Sequence, residues 1–293
     1  MDLSIVIVNW NVRDLLKRNL VSIFEKTKNI SFEVIVVDNN SGDGSKEMLK
    51  EMASWRSSLK LILNDFNAGF ARANNQGAKI ADGRYLLFMN PDMELIENSA
   101  EKLVKFLDEN RTVGACTAAL FYPDGKIQNN IKRDPTFWPQ FFILLKLHHF
   151  LKWLPAVKNY LAKDFDYEKT QVVEQIMGAF VFIRRDLFEK IGGWDEDYWL
   201  WWEDVDLCKR IRKAGETIFY TPITKIIHYE GKSFAQKLSL EKQKRFNGGM
   251  LIYFKKHQSK LSYFGLLLLQ PISLPLAYLS QVLKVKSRPQ GKM

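Results

Sequence analysis

Val34-Ile35-Val36-Val37-Asp38-Asn39-Asn40 is a four-residue apolar run that stops abruptly at an acid and two asparagines. A run this short and this rich in β-branched residues reads as a strand buried on both faces. Three others share its form: residues 3–8 followed by Asn9 and Asn11, residues 59–63 followed by Asn64-Asp65, and residues 85–89 followed by Asn90-Pro91-Asp92. Between them, residues 15–25, 45–52 and 70–81 space their apolar side chains by three or four, the period of a helix. The alternation predicts an α/β domain with a mostly parallel sheet and right-handed crossovers. Such sheets bind ligands outside the carboxyl ends of their strands, so the four Asn/Asp clusters are expected to converge on one crevice. Any single cluster is also ordinary turn or cap chemistry; four in succession favour a site.

The second half has a different texture. Pro123-Asp124-Gly125 predicts a turn, residues 172–183 one long strand, and residues 186–191 a short helix closed by Gly192-Gly193. Residues 203–214 predict a helix ended by Gly215, and residues 217–220 and 224–229 two strands. No internal repeat or low-complexity tract occurs. Residues 137–154 and 264–283 are apolar but carry cations within or after them, and Lys284, Lys286, Arg288 and Lys292 follow the second. As one helix the second segment would reach roughly 30 Å, a membrane's width. Gln270, Pro271, Ser273 and Pro275 interrupt it, so the expectation is interfacial attachment to an anionic membrane, with packing onto the protein's own domain as the alternative.

Composition narrows the function classes. The 293 residues are 46% hydrophobic, enough for one large domain or a domain with appendages. Cys116 and Cys208 stand far apart, which indicates neither a disulfide framework nor a zinc site and points to a reducing, cytoplasmic setting. The chain opens directly on a strand-like run, so no export signal is indicated. A net charge of +10 invites an anionic partner, but no finger, helix-turn-helix or stacking-sheet motif accompanies it. Phosphorylated small molecules or acidic lipid fit better than nucleic acid. The expected location is cytoplasmic, peripheral at the inner face of the plasma membrane.

Three blocks carry a resemblance. The first joins Ser4-Ile5-Val6-Ile7-Val8-Asn9-Trp10-Asn11 to Val36-Val37-Asp38-Asn39-Asn40-Ser41-Gly42-Asp43. The second is Asn67-Ala68-Gly69-Phe70-Ala71-Arg72, leading to Asn90-Pro91-Asp92. The third runs through Met177-Gly178-Ala179, Gly192-Gly193-Trp194-Asp195 and Trp201-Trp202-Glu203-Asp204-Val205-Asp206. Together they resemble the family 2 glycosyltransferases over roughly residues 3–233. The resemblance implies a GT-A fold, Rossmann-like with a mostly parallel sheet flanked by helices, over residues 1–235. Its nucleotide-sugar half would span about 1–115 and its acceptor and catalytic half about 116–235, with a helical, membrane-associated extension over 236–293.

The resemblance also implies roles. Asp38 would contact the base or ribose, and Asn9, Asn67, Gly69, Arg72 and Asn90 would line the nucleotide sugar. Free amides of the helix beginning near Gly69, with Arg72, would face the diphosphate. Most relatives carry Asp-X-Asp where this chain has Asn90-Pro91-Asp92, a form shared with many rhamnosyltransferase-like members. Asp92 is thus the one carboxylate ligand expected for Mg²⁺ or Mn²⁺, and His228, in a stretch resembling the family's His-X-X-Gly-X-Ser element, would complete the metal shell. Asp204 matches the catalytic base, with Glu203, Trp201 and Trp202 on the acceptor side. The implied reaction is inverting transfer from a dTDP- or UDP-linked sugar, with dTDP-rhamnose favoured, to a saccharide or lipid-linked acceptor of a cell-surface polymer. Blander readings remain for each residue: a turn aspartate at 38, helix–sheet packing at Gly69 and Gly77, caps at Glu203 and Asp204, an edge histidine at 228. Among other functions, a dinucleotide-dependent oxidoreductase lacks its glycine-rich turn at Asn9-Trp10-Asn11-Val12. A metal-dependent nucleotidyltransferase gives Trp201-Trp202-Glu203-Asp204 no role, and a non-catalytic carbohydrate- or lipid-binding scaffold would keep the fold without turnover.

Overall fold

The computed structural model describes residues 1–149, 151, 153–229 and 239–282. Strands β1 (Leu3–Asn9), β2 (Phe32–Asp38), β3 (Leu59–Leu63) and β4 (Tyr85–Met89) alternate with helices α1 (Arg13–Lys26), α2 (Ser45–Trp55) and α3 (Phe70–Lys79), as the apolar spacing predicts. All four strands pair in parallel, in the order β3-β2-β1-β4. Successive strand side chains point to opposite faces, and here both faces are covered. Ile5, Ile7, Val34, Val36 and Leu87 pack with Leu16, Leu20 and Ile23 of α1. Val6, Ile35, Leu86 and Phe88 pack on the other side with Ala71 of α3. Continuous apolar runs follow from that double burial. Gly77 lets α3 lie close to the sheet, since a Cβ there would come within 2.4 Å of Val6 Cγ1.

Beyond β4 come β5 (Met93–Leu95), α4 (Ser99–Glu109), β6 (Val113–Phe121), β7 (Ile131–Lys132), α5 (Phe137–Leu144) and α6 (Pro155–Tyr160). Then follow β8 (Gln171–Val172), β9 (Gln175–Ile176), β10 (Phe180–Arg184), α7 (Arg185–Lys190), α8 (Glu203–Lys213) and β11 (Thr217–His228). Three helices close the described chain: α9 (Ser239–His257), α10 (Lys260–Leu268) and α11 (Gln270–Val282). The main sheet continues β4-β10-β6-β11-β5, and β10 runs antiparallel to both neighbours. The sheet is therefore mixed, with its parallel half carrying the first Asn/Asp clusters.

Three expectations change. The single strand over 172–183 is three short ones: β8 pairs with β11 and β9 with β7, and Gly178, between β9 and β10, turns its amide to Asp204. The two strands over 217–229 are one, β11, whose register slips between Thr221 and Lys225. Pro222, which has no amide to give a ladder, sits in that irregular stretch. The apolar segment 264–283 divides between α10 and α11, bent by 43° around Leu269, and among the described residues no single helix is long and apolar enough to cross a membrane. Gly231 and Ser233, and the basic residues from Lys284 onward, lie outside the described residues.

Candidate active site

Parallel register ends β1 and β2 side by side, Asn9 opposite Asp38. Asn9 Nδ2 donates to Asp38 Oδ2 (2.7 Å) and to Ser41 Oγ (3.1 Å), and the Ser41 amide donates to Asp38 Oδ1 (2.8 Å). Asn11, at φ 54°, accepts the Gly42 amide on its side-chain oxygen, and Asn40 holds φ 62°. Asp38 and Asn9 are fully buried. The carboxylate is turned into the loop, with each oxygen accepting one hydrogen bond, so Asp38 and Asn9 organise the loop after β2. Asn39 joins neighbouring strand ends. Its Oδ1 accepts from Asn64 Nδ2 (2.9 Å), Asn64 Nδ2 also donates to Gln76 on α3 (2.9 Å), and Asn39 Nδ2 donates to the Gly69 carbonyl (3.0 Å).

The start of α3 also departs from expectation. The Gly69 amide donates to Asn67 Oδ1 (3.0 Å) and the Phe70 amide to the Trp199 carbonyl (2.9 Å), so these amides are already satisfied and are not a free diphosphate cradle. Arg72 is exposed, its guanidinium 5.7 Å from the Phe66 ring centroid. Gly69 sits at φ 83°, ψ −177°, a region open essentially to glycine alone, and a Cβ there would meet the Trp199 carbonyl oxygen at 2.7 Å. Gly69→Ala is expected to lose about 3 kcal/mol of stability in urea denaturation, the sum of backbone strain and contact. Gly192→Ala, at the same φ with nothing near its Cβ, is expected to lose about 1 kcal/mol.

At the end of β4 the two halves meet. The Asn90 amide donates to the Ala179 carbonyl (2.9 Å), and the adjoining Gly178 amide donates to Asp204 Oδ2 (2.9 Å). Two hydrogen bonds thus connect the strand end that carries Asp92 to the first turn of α8. Asp92 and His228 are nearly buried, with His228 Nε2 3.4 Å from Asp92 Oδ1. On the far side of the imidazole, His228 Nδ1 lies 2.7 Å from Oε1 of the buried Gln128. That oxygen can only accept, so Nδ1 carries the hydrogen, and in the neutral ring the Nε2 lone pair faces the Asp92 carboxylate. A neutral imidazole and a carboxylate converging at this distance are two electron-pair donors that suit a cation between them. Among the described residues no group of three His, Cys, Asp or Glu side chains converges on this point.

Asp204 is half-buried; burial raises its carboxyl above the ordinary 3.8, partly offset by the Gly178 amide and by the charge of Lys132. Glu203 is buried, and desolvation, reinforced by the Asp204 charge, holds it well above 4.5. A carboxyl raised in the folded state binds its proton more tightly there than in the unfolded chain, so stability falls as pH rises from about 4.5 toward the folded value. Glu203→Gln is expected to flatten that decline, measured by urea midpoints across the pH range.

Trp201 and Trp202 hold φ of 65° and 74°, costly for bulky residues. Packing enforces them. Trp202 is buried against Phe246 (centroids 5.4 Å) and Tyr253 (5.5 Å) of α9, and Gly249 lets α9 approach the Trp201 carbonyl, which a Cβ would meet at 2.9 Å. Of the residues expected on the acceptor side, Trp202 is core, Trp201 is partly buried on the same cluster, and Glu203 is an interior acid. Helix α9 also grips α8 through His257 Nε2 on Asp206 Oδ1 (2.6 Å) and stacks Arg245 on Trp199 at 3.5 Å. Gln128, Arg245 and His257 were not singled out from the sequence; each acts across more than forty residues, and none stands in a periodic pattern or a recognisable motif. Trp199, expected with Trp201 and Trp202 to offer a stacking face to the acceptor, lies under Arg245 and against Gly69.

Comparison with known proteins agrees with this fold. The family model described as glycosyl transferase family 2 matches residues 4–192, and one described as the N-terminal domain of galactosyltransferase matches residues 162–232. The chain is 29% identical over 240 residues to the O-antigen biosynthesis protein RfbC of Myxococcus xanthus, covering 78% of this chain but only 17% of that protein. It is 26% identical over 245 residues to the rhamnosyltransferase WbbL of Escherichia coli, covering 80% of this chain and 86% of that protein. Among solved structures, the mannosyltransferase PcManGT from Pyrobaculum calidifontis in complex with GDP-Man and Mn²⁺ superposes with a TM-score of 0.59 at 18% identity, over 98% of this chain and 76% of that one. At that identity the superposition establishes the shared fold. With the family model matching well over half its length, the chain belongs to glycosyl transferase family 2.

Proposed function

We propose that this chain transfers a sugar from a nucleoside-diphosphate sugar to a hydroxyl of a saccharide or lipid-linked acceptor, in the cytoplasm, with inversion at the anomeric carbon. The observation that carries the reading is the hydrogen-bonded link from Asn90 through Ala179 and Gly178 to Asp204, which sets a carboxylate beside the strand end bearing Asp92. In the step itself, the acceptor oxygen bonds to the anomeric carbon as the bond to the diphosphate oxygen breaks on the opposite face, and Asp204 takes the hydroxyl proton. A carboxylate is a weak base for an alcohol, but the proton becomes acidic as the new bond forms, and burial strengthens Asp204 as a base. Burial raises Glu203 well above 4.5, which disfavours a competing charge beside Asp204.

Asp92 and His228 would hold a divalent cation, with Gln128 fixing the imidazole. Bound there, Mg²⁺ or Mn²⁺ would neutralise charge on the departing diphosphate. The rhamnosyltransferase among the relatives and the Asn90-Pro91-Asp92 form both favour a dTDP-linked deoxysugar such as dTDP-rhamnose, and RfbC's role in O-antigen biosynthesis favours a cell-surface polymer as the product. The test is a thermal-shift screen of dTDP-, UDP- and GDP-sugars with Mn²⁺ or Mg²⁺ and then with chelator. A donor at a hundredfold its Kd adds about 2.7 kcal/mol to the native state. The dTDP-sugar is expected to give the largest chelator-sensitive shift, and a screen in which no nucleotide sugar shifts the melting point would contradict the reading.

A further inference from the structure

Helices α10 and α11 are apolar outside as well as inside: Leu266 is fully buried, with Tyr263 and Leu269 packed on the same cluster, yet the outward side is apolar too. On a surface helix of a water-soluble protein the outward face is polar. Here Leu261, Phe264, Leu268, Ile272 and Leu279 are all exposed, 84% for Leu261 and 76% for Leu268, and their spacing of three, four, four and seven runs one apolar stripe across the bend. Where α11 faces α9, one buried serine joins a polar chain. Lys146 Nζ donates to Gln243 Oε1 (2.5 Å), Gln243 Nε2 to Asn247 Oδ1 (2.7 Å), and Asn247 Nδ2 to Ser273 Oγ (3.2 Å). Ser273 is fully buried between its exposed neighbour Ile272 and the α9 residues it faces. Exposed aromatics stand nearby: Tyr278 on α11, and Trp138 on α5, the helix whose Phe137 ring packs against Gly265 of α10.

Charge says what covers this stripe. From residue 242 to the last residue the sequence has ten Lys or Arg and no Asp or Glu, and the rest of the chain has 33 of each sign. The whole net charge of +10 therefore belongs to the segment that carries the apolar stripe. Lys255 and Lys260, where α9 gives way to α10, are exposed. Arg245 is paired with Glu241, and Lys256 with Asp195 and Asp197. A second copy of the chain would bring the same excess of cations to the contact, whereas an anionic bilayer satisfies both features together: its acyl boundary takes the apolar side chains and its headgroups take the cations. The bend of 43° and the two prolines of α11, Pro271 and Pro275, suit helices lying in the interface instead of crossing it.

We infer that α10 and α11 form an interfacial anchor that seats the chain on an anionic phospholipid surface through the stripe Leu261, Phe264, Leu268, Ile272 and Leu279. This stands apart from the sugar-transfer reading, since docking needs neither donor nor acceptor. Because α9 connects the anchor to Trp202 and Asp206, docking also fixes how the crevice is presented to the bilayer.

Vesicle flotation of the full chain tests it, with phosphatidylcholine alone and with phosphatidylglycerol added. The chain is expected to float with the anionic vesicles, to remain behind with the neutral ones, and to be released by high salt. Phe264→Glu combined with Leu268→Glu, both at exposed positions, is expected to weaken flotation about tenfold or more with an unchanged thermal melt. Lys255→Glu with Lys260→Glu is expected to remove the preference for anionic lipid while leaving the apolar stripe intact. A full chain that ignores anionic vesicles overturns the inference. So does a Phe264→Glu, Leu268→Glu variant that floats normally but changes from oligomer to monomer in sedimentation, which would make a second copy the occupant.

Discussion

Asp204→Asn is expected to lower the rate of sugar transfer by about a thousandfold, within the range for removing a general base, while nucleotide-sugar binding changes by less than about twofold. The geometry separates this from a structural effect. Asp204 Oδ2 accepts the Gly178 amide and Oδ1 its neighbour's amide, and an asparagine oxygen retains one of these contacts. Burial also disfavours the ionised carboxylate, so the neutral amide removes an unfavourable charge and the variant should unfold no more easily at neutral pH. Were Asp204 only a helix cap, the substitution would cost a little stability and leave turnover untouched. The acid limb of kcat/KM should report a group above 3.8, the ordinary aspartate value, and activity should rise as pH passes through it because the ionised form is the base.

The second large effect belongs to the pair at the end of β4 and β11. Asp92→Ala is expected to abolish the Mn²⁺-dependent part of nucleotide-sugar affinity, a loss of about a hundredfold or more by calorimetry with and without chelator. His228→Ala should act in the same direction. Gln128→Leu, which removes the partner of His228 Nδ1 and frees the ring to turn, should weaken metal-dependent binding about tenfold, the scale of an outer-shell partner. Affinity that ignores the chelator in the unsubstituted chain would remove the metal from the account.

Sequence patterning reached the parallel half of the fold because its information is local. Each of β1 to β4 is a continuous apolar run, each helix between has its own period, and the strand ends announce themselves in Asn or Asp. The pairing of β10 between β4 and β6 is invisible by that route, since residues ninety apart in sequence decide it. The same limit governs the site. Asp92, Asp204 and His228 are legible as types at motif positions, and the structure brings Asp92 and His228 together and ties Asp204 to their strand end. What could not be read is the direction a side chain takes. Asp38 turns inward because Asn9 and the Ser41 amide capture it, and Gly69 is glycine because Trp199, 130 residues on, occupies the space of a Cβ. Trp201 and Trp202 looked like a stacking platform beside the base. Their left-handed backbone is dictated by α9, whose Gly249 and Phe246 no local pattern connects to them.

The most direct measurement is the stereochemistry of a single turnover. With dTDP-rhamnose or the best donor from the thermal screen, Mn²⁺ and a saccharide acceptor, NMR of the anomeric proton reports product configuration while nucleoside diphosphate is quantified. One displacement with Asp204 as base predicts one nucleoside diphosphate released per glycoside formed, an inverted anomeric centre, and neither product from Asp204→Asn. A retained configuration, or full turnover by Asp204→Asn, would contradict it.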